Sequence, residues 1–500
     1  MKVFLMYPDR DFDLQAKGPW HEQALIQDLA LETLFSAMAL GDPFLLDVAR
    51  RAVLSSLTDP EAIRYRQDIL KDSLSNPGVV RSMYALTLEA IEGEKKAYWG
   101  LFYKYPDTIL HRALEVMQLF LGMLKRLRSI ADEHAGDIKS KGLTTLFSML
   151  REELTDDYFD TVQQHLRELR FRNGVLVSAE LGKGNKGTRY TLCQPADNRR
   201  GLLGRIRTRR SPAYSFVIAD RDESGARALG ELRDRGINLV ANALAQSADH
   251  ILSFFTMLRT ELAFYVGCLN LYDQLTQLGE PVCFPVPALP GERKRSFVGL
   301  YDACLALTMK GRIVGNDLEA DGKDLVVITG ANQGGKSTFL RSVGLAQLMM
   351  QAGMFVPAES FSASTCTGLY THYKREEDTT LRSGKLDEEL SRMSDIADHV
   401  APHSMVLFNE SFAATNEREG SEIARQIVSA LLEEGIQVFF VTHLYEFAHR
   451  LYLKRMGNAV FLRAQRQPDG ARTFRITEGE PLQTSYGEDL YEKVFGAGDA

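Results

Sequence analysis

Residues 330 to 338 read Gly330-Ala331-Asn332-Gln333-Gly334-Gly335-Lys336-Ser337-Thr338, a spacing of glycines, lysine and hydroxyls that suits the holding of phosphate groups. Glycines let backbone N–H groups approach phosphate oxygens, and a helix starting directly after the loop adds the positive end of its dipole. Gly330, Asn332, Gly334, Gly335, Lys336, Ser337 and Thr338 are the expected phosphate-binding set. Lys336 would neutralise the β- and γ-phosphates, and the Ser337 hydroxyl would complete the shell of a Mg²⁺ ion. The motif needs a strand before it and a helix after it. Leu325-Val326-Val327-Ile328 reads as the strand, and Phe339, Leu340, Val343, Leu345 and Leu348 as the apolar face of the helix. A nucleoside triphosphate is the expected ligand.

A phosphate loop by itself hydrolyses nothing; it needs an acid to support the metal and a group to activate water. Met405-Val406-Leu407-Phe408 reads as a buried strand ending in Asn409-Glu410. Glu410 is the expected residue for orienting or deprotonating the attacking water. Asn409 could accept a hydrogen bond from a metal-bound water but brings no negative charge. Hydrogen bonds to charged groups are worth about 1.5–3 kcal/mol against about 0.5–1.5 for neutral ones, so weak Mg²⁺ support and slow turnover are expected. A helix with Ile423, Ile427, Val428 and Leu431 on one face follows, and then the strand Gln437–Val441 leads to Thr442-His443. His443, at a strand end beside a phosphate site, could sense the γ-phosphate; the other reading is a satisfied structural histidine.

The remaining residues must position these groups. A length of 500 residues suggests two to four domains, and 45% apolar with 25% charged residues is ordinary for a soluble globular protein. Cys193, Cys268, Cys283, Cys304 and Cys366 show no metal-type spacing and read as reduced thiols, which fits a cytoplasmic protein. The start of the chain does not read as a signal peptide, and no run of 18 apolar residues announces a membrane span. From Gln23 to about Leu166 the pattern is helical, with Pro43, Pro60, Pro77 and Pro106 at plausible helix starts or breaks. From Asn238 to Leu278 a sustained apolar face predicts one long helix, about 60 Å at 1.5 Å per residue. Pro281, Pro285, Pro287 and Pro290 then mark a linker.

Charge is distributed unevenly. The segment 167–210 holds twelve Lys and Arg against three acids, in a chain whose net charge is −7. Val175–Leu181 and Thr188–Cys193 read as two strands around a Gly-rich turn, with Arg199, Arg200, Arg205, Arg207, Arg209 and Arg210 beyond them. Lys183, Lys186, Arg189, Arg205, Arg207, Arg209 and Arg210 are the expected nucleic-acid contacts, of the sequence-independent phosphate kind. A solvated hairpin with no partner is the other reading of this island.

With these motifs in place, the chain resembles the MutS family of DNA mismatch repair ATPases. Thr329–Thr338 (TGANQGGKST) resembles the family's TGPNMGGKST; Gly353–Pro357, Asn409-Glu410, Thr442-His443 and Ser485-Tyr486-Gly487 continue the likeness. The specific match covers about residues 297–490, and the helical part from about Gln23 to Leu278 is more loosely similar to the family's core and lever helices. The resemblance implies an α/β P-loop (ABC-type) ATPase domain at the C-terminus, preceded by a mainly α-helical core and lever with a small β insertion. It implies ATP and Mg²⁺ as ligands, a homodimer through the ATPase domains, and nucleotide-dependent clamping of DNA. The expected segments are a helical core (1–166), a basic insertion (167–220), a long lever helix with its linker (221–290) and the ATPase domain (291–500).

The chain departs from the family pattern in several places. Ala331 and Gln333 replace proline and methionine in the loop, and Asn409 replaces an aspartate. Ser383-Gly384-Lys385-Leu386-Asp387-Glu388 stands where the family has SGRSTF, so the serine that would reach a partner's ATP is absent. The adenine-stacking aromatic falls near Arg312, whose guanidinium plane could stack instead. No Phe-x-Glu wedge occurs in the first hundred residues, and the chain is expected to lack the mismatch-reading domain. The leading expectation is a slowly hydrolysing, DNA-clamping ATPase of repair or recombination, probed best against double-stranded or branched DNA. The alternatives are a MutS-like ATPase acting on RNA or the ribosome, and a nucleotide-gated scaffold with little hydrolysis.

Overall fold

Pro43, Pro60, Pro77 and Pro106 each open a helix, where the missing N–H costs nothing and the fixed φ suits the first turn. Asp42 caps the first of these, its carboxylate accepting from Phe44 N (2.8 Å) and Leu45 N (3.3 Å). The computed structural model describes residues 1–96, 105–172, 174–193, 214–375, 384–466 and 472–482. Helices come first: α1 (Glu22–Asp28), α2 (Leu31–Ala39), α3 (Pro43–Leu54), α4 (Pro60–Ser75), α5 (Pro77–Lys96), α6 (Pro106–His134), α7 (Lys141–Glu153) and α8 (Asp156–Glu168). The antiparallel hairpin β1 (Val177–Leu181) and β2 (Gly187–Leu192) follows, and then α9 (Glu223–Gln277). The C-terminal part runs β3 (Val286–Ala288), β4 (Arg295–Leu300), α10 (Ala303–Met309), β5 (Asn316–Glu319), β6 (Leu325–Thr329), α11 (Lys336–Gln351), β7 (Ser360–Ser364) and β8 (Leu369–Tyr373). It ends with α12 (Lys385–His399), β9 (Met405–Asn409), α13 (Glu417–Glu433), β10 (Gln437–Val441), α14 (Tyr445–Leu453), β11 (Ala459–Arg466) and β12 (Arg472–Glu478).

The long helix starts at Glu223, not Asn238 as the apolar pattern suggested, and its 55 residues correspond to ~82 Å at 1.5 Å per residue. Gly225, Gly230 and Gly236 hide this first stretch, since glycine lowers helix propensity. Gly236 is there for packing: a Cβ would sit 2.6 Å from Val177 Cγ2, so only glycine admits β1 against the helix. One 18-residue window of α9 is apolar enough by composition to cross a membrane, but 72% of it is buried inside the protein, as in a core helix.

Two compact units emerge, each discontinuous in sequence. The first takes residues 1–3, 82–137 and 144–259. Its core joins α6 to α9, with Phe120 and Phe255 rings 5.7 Å apart, and Arg233 pairs with Asp107 at 2.7 Å. The second takes residues 4–81, 138–143 and 260–500. It contains a six-stranded sheet of order β12-β11-β6-β10-β9-β8, parallel except for β12, and a four-stranded sheet of order β3-β7-β4-β5. The central strands are apolar on both faces because both are covered. Val327, Phe408 and Phe440 join a core with Met393 of α12, Val428 of α13 and Phe447 of α14. On the other face α11 comes so close that a Cβ on Gly344 would lie 2.7 Å from Leu407 Cδ1.

The same unit pins the N-terminal segment with a buried carboxylate. Glu261 of α9 accepts from Leu5 N (2.5 Å), Met6 N (3.1 Å) and Phe12 N (2.9 Å). Burial outweighs these bonds and pushes its pKa from 4.5 up to about 7. A folded-state pKa raised in this way adds stability below the ordinary value that is lost as pH rises through about 7, on the order of 3 kcal/mol for this group. The wild-type chain should therefore lose stability relative to Glu261→Gln as pH rises from 4.5 to about 7, read from denaturant midpoints. Parallel pH profiles for the two proteins would contradict it.

Candidate nucleotide-binding site

Parallel strands deliver their C-terminal ends to one edge, and the chemically suggestive residues collect there. β6 ends at Thr329, the loop follows, and α11 begins at Lys336 with Gly335 as its N-cap at φ 90°. Two glycines are required by geometry. Gly330 has φ 113°, and a Cβ on it would lie 2.9 Å from Ala464 N; Gly334 would place a Cβ 2.7 Å from that of Ala464. Gln333 adopts φ 59° without being glycine, and its side chain accepts from Arg472 Nη1 of β12.

Lys336 is almost fully buried, and its Nζ donates to Gly330 O and Ala331 O, each at 2.9 Å. Burial lowers its pKa to about 8, with the Glu410 carboxylate opposing that effect. Ser337 Oγ donates to Asn409 Oδ1 at 2.8 Å, so the first hydroxyl of the helix and the strand-end amide meet directly. Glu410, at φ 54°, has Oε1 2.8 Å from His443 Nε2. That hydrogen bond is the main reason its pKa is lowered. Nε2 also lies 3.4 Å from Lys336 Nζ; since both nitrogens are then donors, the proton on Nε2 belongs with Glu410.

A cavity of about 460 Å³ opens onto this cluster. Gln333 to Thr338 and Glu410 line one part, while Met309, Arg312, Ile313 and Val314 line another. Arg312 therefore shares the cavity with the loop, whereas Asn332 is exposed and not among the lining residues. Phe474 of β12 also lines it. Neither Phe474 nor Arg472 carried a sequence signal, because each meets the loop from about 140 positions away, across a hairpin whose register the pattern does not set. A larger cleft of about 750 Å³ lies over the small sheet, lined by Val298, Phe361 and Glu359 among others, and none of the expected site residues lines it.

The residues fit a triphosphate with Mg²⁺: a glycine-bounded turn at a helix start, a lysine held by its own loop, and a hydroxyl paired with a strand-end amide. Lys183, Lys186 and Arg189 stand exposed on the β1–β2 hairpin of the first unit, with Arg189 3.3 Å from Glu180. Arg205, Arg207, Arg209 and Arg210 lie outside the described residues, as do Ser383 and Ser485-Tyr486-Gly487.

Comparison with known proteins bears on the same segments. A family model described as the MutS2 N-terminal domain matches residues 58–278, and one described as MutS domain V matches residues 326–494. Proteins named DNA mismatch repair protein MutS are similar. The one from Thermus aquaticus is 33% identical over 230 residues, covering 46% of this chain and 28% of the relative. One from Thermus thermophilus is 29% identical over 232 residues, with the same coverage of 46% and 28%. The one from Methanosarcina mazei is 29% identical over 204 residues, covering 40% and 23%. The chain thus spans less than a third of the length of these relatives.

Gly330→Ala should destabilise the protein by about 1–3 kcal/mol, because the added Cβ meets the Ala464 backbone at a φ that L side chains resist. Thermal and denaturant midpoints measure this, and an unchanged midpoint would show that the loop relaxes freely.

Proposed function

The chain belongs to the MutS family, and we propose that it binds ATP at residues 330–338, hydrolyses it slowly, and couples nucleotide state to a grip on DNA. One observation carries the nucleotide reading: Lys336 on its own loop carbonyls, the Ser337–Asn409 pair and the Glu410–His443 pair gather at one sheet edge, beside a cavity that Lys336, Ser337 and Glu410 line together with Arg312. The domain V match over 326–494 includes the loop and all of that cluster.

In this reading Gly330, Asn332, Gly334, Gly335 and Thr338 surround the phosphates, and Lys336 Nζ exchanges its two loop carbonyls for phosphate oxygens. Ser337 and, through a water, Asn409 would hold Mg²⁺, which when bound offsets phosphate charge. Glu410, kept ionised by His443 on Oε1, orients the attacking water through its carboxylate more than it removes a proton, since a lowered pKa makes a weak base. His443 Nε2–H holds that carboxylate in place. Arg312 stacks against the base. Asn409 contributes no charge, and this supports slow turnover and keeps a second reading alive, a nucleotide-gated scaffold with little hydrolysis.

The name of the relatives, DNA mismatch repair protein, and the basic hairpin together support DNA as partner, most readily duplex or branched. Phosphate contacts alone do not separate DNA from RNA, so RNA belongs in the same assay. A homodimer through the ATPase domains is part of the proposal. The helix α9, which contributes residues to both compact units, would carry the nucleotide state to the hairpin.

Glu410→Gln should retain ATP, lower hydrolysis at least about tenfold and stabilise a dimer, measured by turnover and by mass with and without ATP. Persisting turnover would reassign the water-orienting role. Replacing Lys183, Lys186 and Arg189 with Ala should weaken binding to duplex DNA and lower the salt slope by up to about three. Equal affinity and slope would place the contact elsewhere, and ATPase stimulation by RNA but not by DNA would change the partner.

A further inference from the structure

The turn that carries Glu410 is held against backbone preference. Glu410 and Phe412 have φ of 54° and 62°, a left-handed conformation that L side chains adopt at a cost. Glu410 N donates to Val441 O at 2.9 Å, which ties the turn to β10. The next two residues are fastened from the other side. Ser411 is fully buried, with Oγ 2.6 Å from His372 O and 2.7 Å from His372 Nδ1. Phe412 N donates to Glu389 Oε2 at 2.6 Å, and the Phe412 ring stacks on His372 with centroids 5.2 Å apart.

His372 and Glu389 also grip one another. His372 Nε2 lies 2.9 Å from Glu389 O, which can only accept, so the ring proton sits on Nε2. Burial drives the His372 pKa down to about 4, leaving the ring neutral near pH 7, and Nδ1 then shares the Ser411 hydroxyl proton with His372 O. Glu389 as a residue is buried beside it. Desolvating a carboxylate to cap a turn is costly even with the Arg392 and Lys374 charges nearby, unless the position of that turn matters. The residue on its N-terminal side is Glu410.

We propose that Glu389 of α12 and His372 of β8 are positioning residues for Glu410, fastening Ser411 and Phe412 so that the Glu410 carboxylate stays beside His443 and the cavity. This rests on the reading of Glu410 as the water-orienting group. It makes hydrolysis depend on where α12 lies against β8 and β9, while nucleotide affinity, set by the loop 330–338, does not.

The test compares Glu389→Ala and Glu389→Gln with the wild-type chain. Loss of the acceptor in Glu389→Ala should lower single-turnover hydrolysis at least about tenfold, with affinity for a fluorescent ATP analogue within about twofold. Glu389→Gln should recover most of that rate, because its amide oxygen can accept the same N–H. A wild-type rate in Glu389→Ala, a parallel loss of affinity, or no recovery by Gln would overturn the proposal. Hydrogen exchange of the nucleotide-free protein decides the matter without activity. Exchange over residues 405–412 should quicken in Glu389→Ala alone, with other segments unchanged. Unchanged exchange there, or faster exchange everywhere, would overturn the positioning role. A wild-type chain that hydrolyses nothing would instead sink the ATPase reading, and the exchange result would still stand on its own.

Discussion

A cation buried without a directly contacting carboxylate among the described residues is the constraint around which the C-terminal unit is arranged. Lys336 loses hydration and receives two carbonyl oxygens, from Gly330 and Ala331, in return. The loop that carries those carbonyls passes so close to Ala464 that Gly330, at φ 113°, has no room for a Cβ. The turn joins β6, which lies inside the sheet between β11 and β10, to α11 in six residues. Lysine, glycine and strand order are therefore one requirement. Of the neighbouring strand ends, Glu410 after β9 brings the negative charge that favours the Lys336 cation, while His443 after β10 bonds to Glu410 and Asn409 meets Ser337.

Buried polar residues, as much as the apolar core, make that unit a single body. Gln351, at the end of α11, donates to Leu57 O and Cys366 O at 2.9 Å each, and its own backbone carbonyl accepts from Leu57 N. Arg66 donates to Met6 O at 2.7 Å, while Glu261 gathers three amides from the same segment. Such groups are costly to bury unless each finds a partner, and so they specify which surfaces meet more narrowly than leucine contacts could. Helices from the first eighty residues thereby belong with strands more than two hundred positions later.

Local chemistry was readable where it is written in short-range preferences. The four prolines marked four helix starts because a missing N–H is harmless only there. The strands around the loop, the Asn409-Glu410 strand end and the β1–β2 hairpin all appeared as apolar runs or turn signals. The apolar face of the long helix was legible only from Asn238 onward, since the stretch before it holds Gly225, Gly230 and Gly236, of which Gly236 makes room for Val177. Arg472, Phe474, Glu389 and His372 carried no such sign. Each is ordinary in type, and each matters only through a partner brought to it by pairing or packing.

The order of residues along the chain determined the phosphate loop itself, the neutral amide at position 409, the acid beside it and the likeness to a known family. Those properties reside in residue type and near spacing, which folding does not alter. Tertiary structure decided that Ser337 meets Asn409, that Glu410 meets His443, and that α12 holds the intervening turn from behind. It also decided that the first helices belong to the same compact unit as the C-terminal strands. Contacts between residues far apart in sequence depend on the pairing order of strands and on the match of buried polar groups. Neither has a period or a motif that a linear pattern can show.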